Sequence, residues 1–360
     1  MTDPRTMATF TGSPVVIDGS QGEGGGQMLR TSLALSAITG RPLRMSRIRA
    51  RRPKPGLMRQ HLTAVQAAAA VCGASVTGAE VGSSEIEFIP GAIVAGEHEF
   101  RIGTAGSTTL VLQTVLPILM RAERPSTVVL EGGTHNPFAP TVDFLRGAFL
   151  ATLSRSGARF GGGPRIDVRC ERPGFFPVGG GRVVATIEPA PAPSRLEATV
   201  RGAIVARRGC ALVSSLPGEI AAREVAVLRQ RLGWEESCFR IEEIRADRGP
   251  GNVVTVEIEA EHASEVFIGI GERGLSAEKV ATRVADAARA WMDADVPVGP
   301  HLADQLLLPL ALVGAGAFVT VPLTSHSTTN IEVIERFLGP TLRVLEERPG
   351  RVRVVAGRQG

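Results

Sequence analysis

The chain contains no tyrosine, two tryptophans and only two lysines, Lys54 and Lys279, although 40 of its 360 residues are Lys or Arg. Neither lysine lies in a K-x-D-G setting, which argues against a lysyl-nucleotidyl ligase. No G-x-x-x-x-G-K-[ST] run occurs, so a Walker-type phosphate loop is excluded. The four cysteines, Cys72, Cys170, Cys210 and Cys238, are far apart and form no C-x-x-C pair, which argues against a zinc ribbon and a disulfide framework and suits a reducing, cytoplasmic compartment. The first residues, "MTDPRTMATFTGSP", lack the apolar stretch of a secretory leader. One run, 306–323, is long and apolar enough to raise the question of a membrane span. Pro309, the glycines of "GAG" and a change of periodicity make it a buried helix, a turn and a buried strand, so no membrane is expected.

What is abundant is arginine. The remaining basic residues are all Arg, whose planar fork grips phosphate through paired hydrogen bonds. A net charge of +4 is too small for a basic coat, so the expectation is a local Arg cluster facing an anionic ligand. With aromatics at 4%, packing falls to Ala, Val, Leu and Ile. The length allows a large core and about two domains.

A strand, helix, strand, helix, strand-pair order recurs along the chain. It begins with "VVIDG", "GGGQMLRTSLALSAITG", "PLRMSRIRA" and "GLMRQHLTAVQAAAAVCG". It returns at "HEFRIG", "AGSTTLVLQTVLPILMRA" and "APTVDFLRGAFLATLSRSG". A third copy reads "HLADQLLLPLALVGAG", "AFVTVPL", "HSTTNIEVIERFLG" and "TLRVLEERPGRVRVVAG". The interval before it is longer by roughly a hundred residues, the size of a small domain. The expected architecture is therefore α/β (α+β): three repeated βαβαββ units in a large domain with an inserted small α/β domain. Residues 1–190 carry the first two repeats, 191–295 the insert and 296–360 the third. The insert opens after the Pro/Ala-rich "EPAPAPS", and "LEATVRGAIVA" is read as its first strand.

Chemistry gathers at a few seams. The glycines of "GEGGGQ" run straight into a helix, where free backbone N–H groups favour an anion. Glu23 inside that loop would repel a phosphate unless a divalent cation lay between them, which makes it a metal-ligand candidate. Arg30, two turns on, can reach the same ligand. "RIRARRPKPGLMRQHL" is the one dense basic run; pinned between strand and helix, it offers Arg49, Arg52, Arg59 and Gln60 as a shaped phosphate surface, with His61 read as structural. Asp304 and Gln305 open the helix of "LADQ". His326 stands among five hydroxyl side chains where a strand gives way to a helix start, a position that a capping role alone could explain.

Taken in order, "DGSQGEGGGQMLRTSLALSAITG", "IRARRPKPGLMRQHLTAV", "GSTTLVLQTVLPILM", "GGTHNPFAPTVDF", "HLADQLLLPLALVGAG" and "SHSTTNIEVIERF" resemble the RNA 3′-terminal phosphate cyclase family over most of the chain. The resemblance implies ATP-dependent conversion of an RNA 3′-phosphate to a 2′,3′-cyclic phosphate, through a covalent histidine–AMP and an RNA-adenylate. It implies that His326 is the nucleophile and that Glu23 binds Mg²⁺ or Mn²⁺. Gln113, Pro140, Leu302, Ala303, Asp304 and Gln305 match ATP-contacting positions. Arg30, Arg49, Arg52 and Gln60 match residues that handle triphosphate or RNA phosphate. His301 stands where relatives commonly carry Tyr before "LADQ", and an imidazole there can still stack on adenine. Two rivals share the architecture. A non-catalytic relative serves ribosome assembly and lacks the histidine, whereas His326 and "GEGGGQ" are both present. Enolpyruvyl transferases carry six units, too many for this length.

Overall fold

The computed structural model describes residues 13–160, 162–190, 195–244 and 249–357. Most of the leader reading and of the "EPAPAPS" reading therefore lies outside the described residues. Within them, three four-stranded sheets repeat one topology. The first runs β1 (Val15–Asp18), β2 (Leu43–Ser46), β4 (Ile86–Ile89), β3 (Ser75–Thr77). Its β1 and β2 are parallel and the remaining pairings antiparallel. The second orders β5 (Glu97–Arg101), β6 (Ser126–Gly132), β8 (Gly181–Glu188), β7 (Arg165–Arg172) in the same senses. The third is β9 (Leu196–Ala198), β14 (Gly316–Thr320), β16 (Arg351–Ala356), β15 (Leu342–Arg348). Each parallel first pair needs a crossover helix, which is why every unit places a helix between its first two strands.

Those helices are α1 (Gly26–Thr39), α3 (Thr108–Leu119) and α8 (Pro300–Val313); the second helices are α2 (Arg59–Cys72), a run from α4 (Val142–Phe144) through a π-helical stretch to α5 (Ala151–Arg159), and α9 (Ser325–Leu338). Helix starts follow local chemistry: Ser107 accepts from the Leu110 N–H and Thr324 from the Ser327 N–H, both at 3.3 Å. Helix stops follow glycine, with Gly40, Gly73 and Gly314 in the left-handed conformation that an L side chain resists. The crossover helices α1, α3 and α8 are buried over most of their length and feed one continuous core. That core is built from Leu, Val, Ile and Ala, with Phe88 and Phe318 its largest fully buried side chains, as a chain short of aromatics requires.

The run flagged as a membrane span resolves into α8, a partly exposed turn at Gly314 and the fully buried β14; among the described residues no helix is long and apolar enough to cross a membrane. A fourth sheet, β11 (Phe239–Ile244), β10 (Ile204–Ser214), β12 (Gly251–Ala260), β13 (Ser264–Ile270), packs against α6 (Glu219–Leu232) and α7 (Ala277–Ala294). One expectation is corrected here. "LEATVRGAIVA" is two strands: Leu196–Ala198 pairs with β14 in the third sheet, and the fourth sheet takes the chain only from Ile204. The third sheet thus has a first strand of its own, and the chain that forms the fourth sheet, α6 and α7 runs between that strand and the crossover helix α8.

Candidate active site

The Gly loop after β1 lies under the basic loop after β2, and three arginines fasten the two together. Arg47 pairs with Asp18, the Arg51 guanidinium donates to the Gly22 carbonyl at 3.0 Å, and Arg52 pairs with Glu23. Two glycines are fixed by what they touch. A Cβ on Gly22 would lie 2.2 Å from Thr329 Oγ1, and the residue is left-handed at φ +51°. On Gly26 a Cβ would lie 2.6 Å from the His61 ring. Side chains at either position would push the loop away from α9 or α2.

His326 sits on the first turn of α9, about half exposed, after the cap Thr324. Its Nδ1 is 2.6 Å from Gln27 Oε1 and its Nε2 is 2.5 Å from Glu23 Oε2. Gln27 in turn donates its amide N–H to Asp304 Oδ1 at 2.5 Å. An ionised Asp304 only accepts, so the amide is oriented with its oxygen toward the ring and Nδ1 must carry a proton. Behind this row Asn330 ties the helices together. It accepts from the Thr31 hydroxyl of α1 at 2.9 Å and donates to the Asp304 carbonyl of α8 at 3.2 Å. Thr329 accepts from the Glu23 N–H at 3.2 Å, holding the Gly loop to the same helix. First-unit loop, third-unit α8 and third-unit α9 therefore meet at one imidazole.

Electrostatics sharpen the site. Burial pulls the Arg30 guanidinium down to about 10, opposed by the nearby carboxylates of Asp304 and Glu23, so Arg30 is a cation held close to the row. Burial pushes the Asp304 carboxyl up, against the pull of its Gln27 hydrogen bond and of His326, Arg30 and His301. His301, exposed on the first turn of α8, lies within electrostatic range of both Asp304 and His326. Burial, then Arg49 and Arg30, push His61 down to about 3; neutral, it accepts the Met58 N–H and caps α2, as its structural reading expects.

Other expected residues fall around this centre with differing freedom. Arg49 sends one nitrogen to the carbonyls of Lys54 and Gly56 at 2.7 and 2.8 Å, so part of its donor set shapes the basic loop itself. Gln60 accepts from the Ser107 N–H at 2.9 Å, joining the start of α2 to the start of α3, the helix that carries Gln113. The Pro140 carbonyl accepts from Thr109 at 2.6 Å on that same helix. Leu302 and Ala303 have side chains buried in the core, so only their backbone is available to a ligand. Gln305 carries a buried Oε1 with no hydrogen-bond partner. A buried acceptor of that kind is destabilising until a donor reaches it, which suits a bound nucleotide. For a cation, no cluster of three or more His, Cys, Asp or Glu exists among the described residues. Glu23 alone fits Mg²⁺, which is commonly held by one or two carboxylates together with substrate phosphates. A cleft of about 630 Å³ between the second unit and the fourth sheet is lined by none of these residues.

Gln27, Thr329 and Asn330 carry no signal of their own in the sequence. Each lay inside a quoted motif, and only the meeting of α1 with α9 shows what it touches.

Three repeated βαβαββ units, the first and third of which meet at an imidazole, a carboxylate and a group of arginines, define the class: an α/β repeat protein with a charged seam suited to an anion. Comparison with known proteins narrows it. The sequence model of the family described as RNA 3′-terminal phosphate cyclase matches residues 21–344. The chain is 50% identical over 339 residues to a protein of that name from Ralstonia nicotianae, covering 94% of this chain and 95% of that one. It is 47% identical over 333 residues to another from Koribacter versatilis, covering 92% of each. A third, from Salmonella paratyphi C, is 45% identical over 347 residues, 96% of this chain and 98% of its own. The chain belongs to the RNA 3′-terminal phosphate cyclase family.

Proposed function

We propose that this protein converts the 3′-terminal phosphate of RNA to a 2′,3′-cyclic phosphate at the expense of ATP, with His326 as a covalent nucleophile. The observation that carries the reading is the His326 ring, open to solvent at a helix start and held at one nitrogen by Gln27 and at the other by Glu23.

In the first step Nε2 of His326 attacks the α-phosphorus of ATP; an N–P bond forms, the P–O bond to the β-phosphate breaks and pyrophosphate leaves. Nε2 needs its lone pair for this. With Nδ1–H given to Gln27, the ring has one free nitrogen, and in the resting arrangement Glu23 faces it. As the Nδ1–H tautomer that Gln27 favours, the ring becomes nucleophilic at Nε2 once Glu23 turns away from it. A divalent cation held by Glu23 and phosphate oxygens would neutralise charge on the triphosphate. Arg30 and Arg52, with the N-terminus of α9, stabilise the charge that builds on the phosphate oxygens. Asp304, Gln305, Gln113, Pro140 and His301 frame the nucleotide, and Arg49 acts largely by shaping the basic loop.

In the second step an oxygen of the RNA 3′-phosphate attacks the same phosphorus and the imidazole leaves. This turns a poor leaving group, oxide, into AMP. The 2′-OH then attacks the activated 3′-phosphorus, loses its proton and expels AMP. Because that hydroxyl is already adjacent, positioning supplies most of the acceleration. The body of three sheets carries these groups, and the fourth sheet with α6 and α7 forms the inserted domain.

The test is end analysis of an oligoribonucleotide bearing a 3′-phosphate, incubated with the protein, ATP and Mg²⁺. Conversion of the end to a form resistant to phosphatase and opened by acid supports the reading. An end left sensitive to phosphatase, with ATP intact, refutes it.

A further inference from the structure

Phe138 is the most exposed large apolar side chain among the described residues, at 101% relative exposure, in a chain that carries only thirteen Phe, two Trp and no Tyr. It also occupies an awkward backbone position. Asn136 to Ala139 form a tight turn closed by the Ala139 N–H to the Asn136 carbonyl at 3.3 Å, with Pro137 and Phe138 at its centre. Phe138 sits there at φ +61°. Proline at the first central position and positive φ at the second describe a type II turn, whose second central residue is normally Gly or Asn. A bulky aromatic there is strained, and its ring packs on nothing that repays the strain.

The turn is nevertheless firmly held. Asn136 donates to the Ala105 carbonyl at 2.6 Å. The Thr134 N–H donates to the Gly174 carbonyl, and the Gly174 N–H donates back to the Thr134 hydroxyl, both at 2.9 Å. The His135 ring stacks on Phe175 with centroids 5.1 Å apart. Next along that second loop is Phe176, 72% exposed. Two stitched loops thus present two bare aromatic rings.

Their location ties them to the site. Asn136 fastens the turn to Ala105, and two residues on, Ser107 is held by Gln60 at the start of α2 beside exposed Arg59. The short turn 104–107 therefore links the loop that carries Phe138 to the start of α2, where the basic run ends at Arg59. Proteins that hold single strands pair a basic track for the backbone with aromatic faces for the bases.

We propose that Phe138, with Phe176 on the adjoining loop, forms a base-stacking platform for the single-stranded RNA leading to the 3′-phosphate. This rests on the functional reading above and adds how the strand is held. A ring standing fully in solvent suits an extended strand better than a mononucleotide, which a pocket would enclose.

The experiment uses oligoribonucleotides with a 3′-phosphate and 2-aminopurine at each of the last three positions in turn. With wild-type protein one position is quenched on binding. Phe138→Gly should abolish that quenching and weaken RNA binding about tenfold, leave the salt dependence of binding unchanged because no phosphate contact is lost, and melt at an equal or higher temperature because glycine relieves the turn. Phe138→Trp should restore both quenching and affinity. Unaltered RNA affinity and quenching in Phe138→Gly, while the wild type still cyclises RNA, overturn the platform alone. Loss of label uptake from ATP without RNA, in step with the loss of RNA binding, assigns the ring to the nucleotide and also overturns it. A wild type that neither binds nor cyclises the oligonucleotide brings down the functional reading as well.

Discussion

The side-chain amide of Gln27 bridges His326 and Asp304, its oxygen 2.6 Å from the imidazole Nδ1 and its nitrogen 2.5 Å from the carboxylate. One rigid amide thereby sets which ring nitrogen keeps a proton. Replacing Gln27 with Ala frees the ring to rotate and to exchange tautomers. Covalent labelling by ATP should slow by about 100-fold with the melting temperature little changed. Single-turnover label uptake beside a thermal melt separates this from a folding defect, and a rate within twofold of wild type removes Gln27 from the mechanism.

Glu23 faces both Arg52 and His326 in the resting structure. Glu23→Gln keeps the shape but lowers affinity for a divalent cation. The Mg²⁺ concentration that half-saturates label uptake should rise by about tenfold or more. Titration of Mg²⁺ at fixed ATP checks this; an unchanged midpoint shows that Glu23 is not the ligand.

Gly22 has a left-handed backbone and no room for a Cβ against Thr329. Gly22→Ala therefore combines strain with a clash and should destabilise the fold by about 1–3 kcal/mol. The Glu23 N–H should lose Thr329, and activity should fall with it. Gly82 is also left-handed but has open space around it, so Gly82→Ala should show the strain alone and a smaller loss in denaturant melts.

Glu265, on β13, is almost fully buried and accepts the Gly299 N–H at 2.6 Å, capping the helix that carries Asp304. Burial pushes its carboxyl up to about 8, against two backbone hydrogen bonds that favour the anion. The folded pKa lies above the ordinary value of 4.5, so the folded state binds this proton more tightly than the unfolded one. Its stabilising effect is complete below about pH 4.5 and is lost as pH rises through 8. Glu265→Gln, permanently neutral, should match wild type near pH 5 and melt higher near pH 9. Parallel melting curves across that range contradict this.

The repeat was legible because each unit buries an apolar crossover helix between short strands, and periodicity reports burial directly. Leu196–Ala198 escaped, because three residues carry no period and their partner β14 lies more than a hundred residues away. In the sequence the segment runs on into "GAIVA" with no obvious break, which gives the pattern of a single strand. Within the site, His326 and Glu23 stood out by chemistry. Gln27, Asn330 and Thr329 act through contacts between the first and third units, which no local pattern encodes. Phe138 was hidden for a different reason: a phenylalanine between proline and alanine reads as core, and only its φ and exposure mark it as anything else.

The central claim is a transient bond between His326 and the α-phosphorus of ATP. It is tested most directly by incubating the protein with ATP labelled at that phosphorus, then mapping the labelled peptide. The account predicts label on the peptide spanning residues 321–337, stable to base, released by acid, discharged by RNA bearing a 3′-phosphate, and absent from a folded His326→Ala variant. Label that persists undiminished in that variant, or that maps to another peptide, contradicts it.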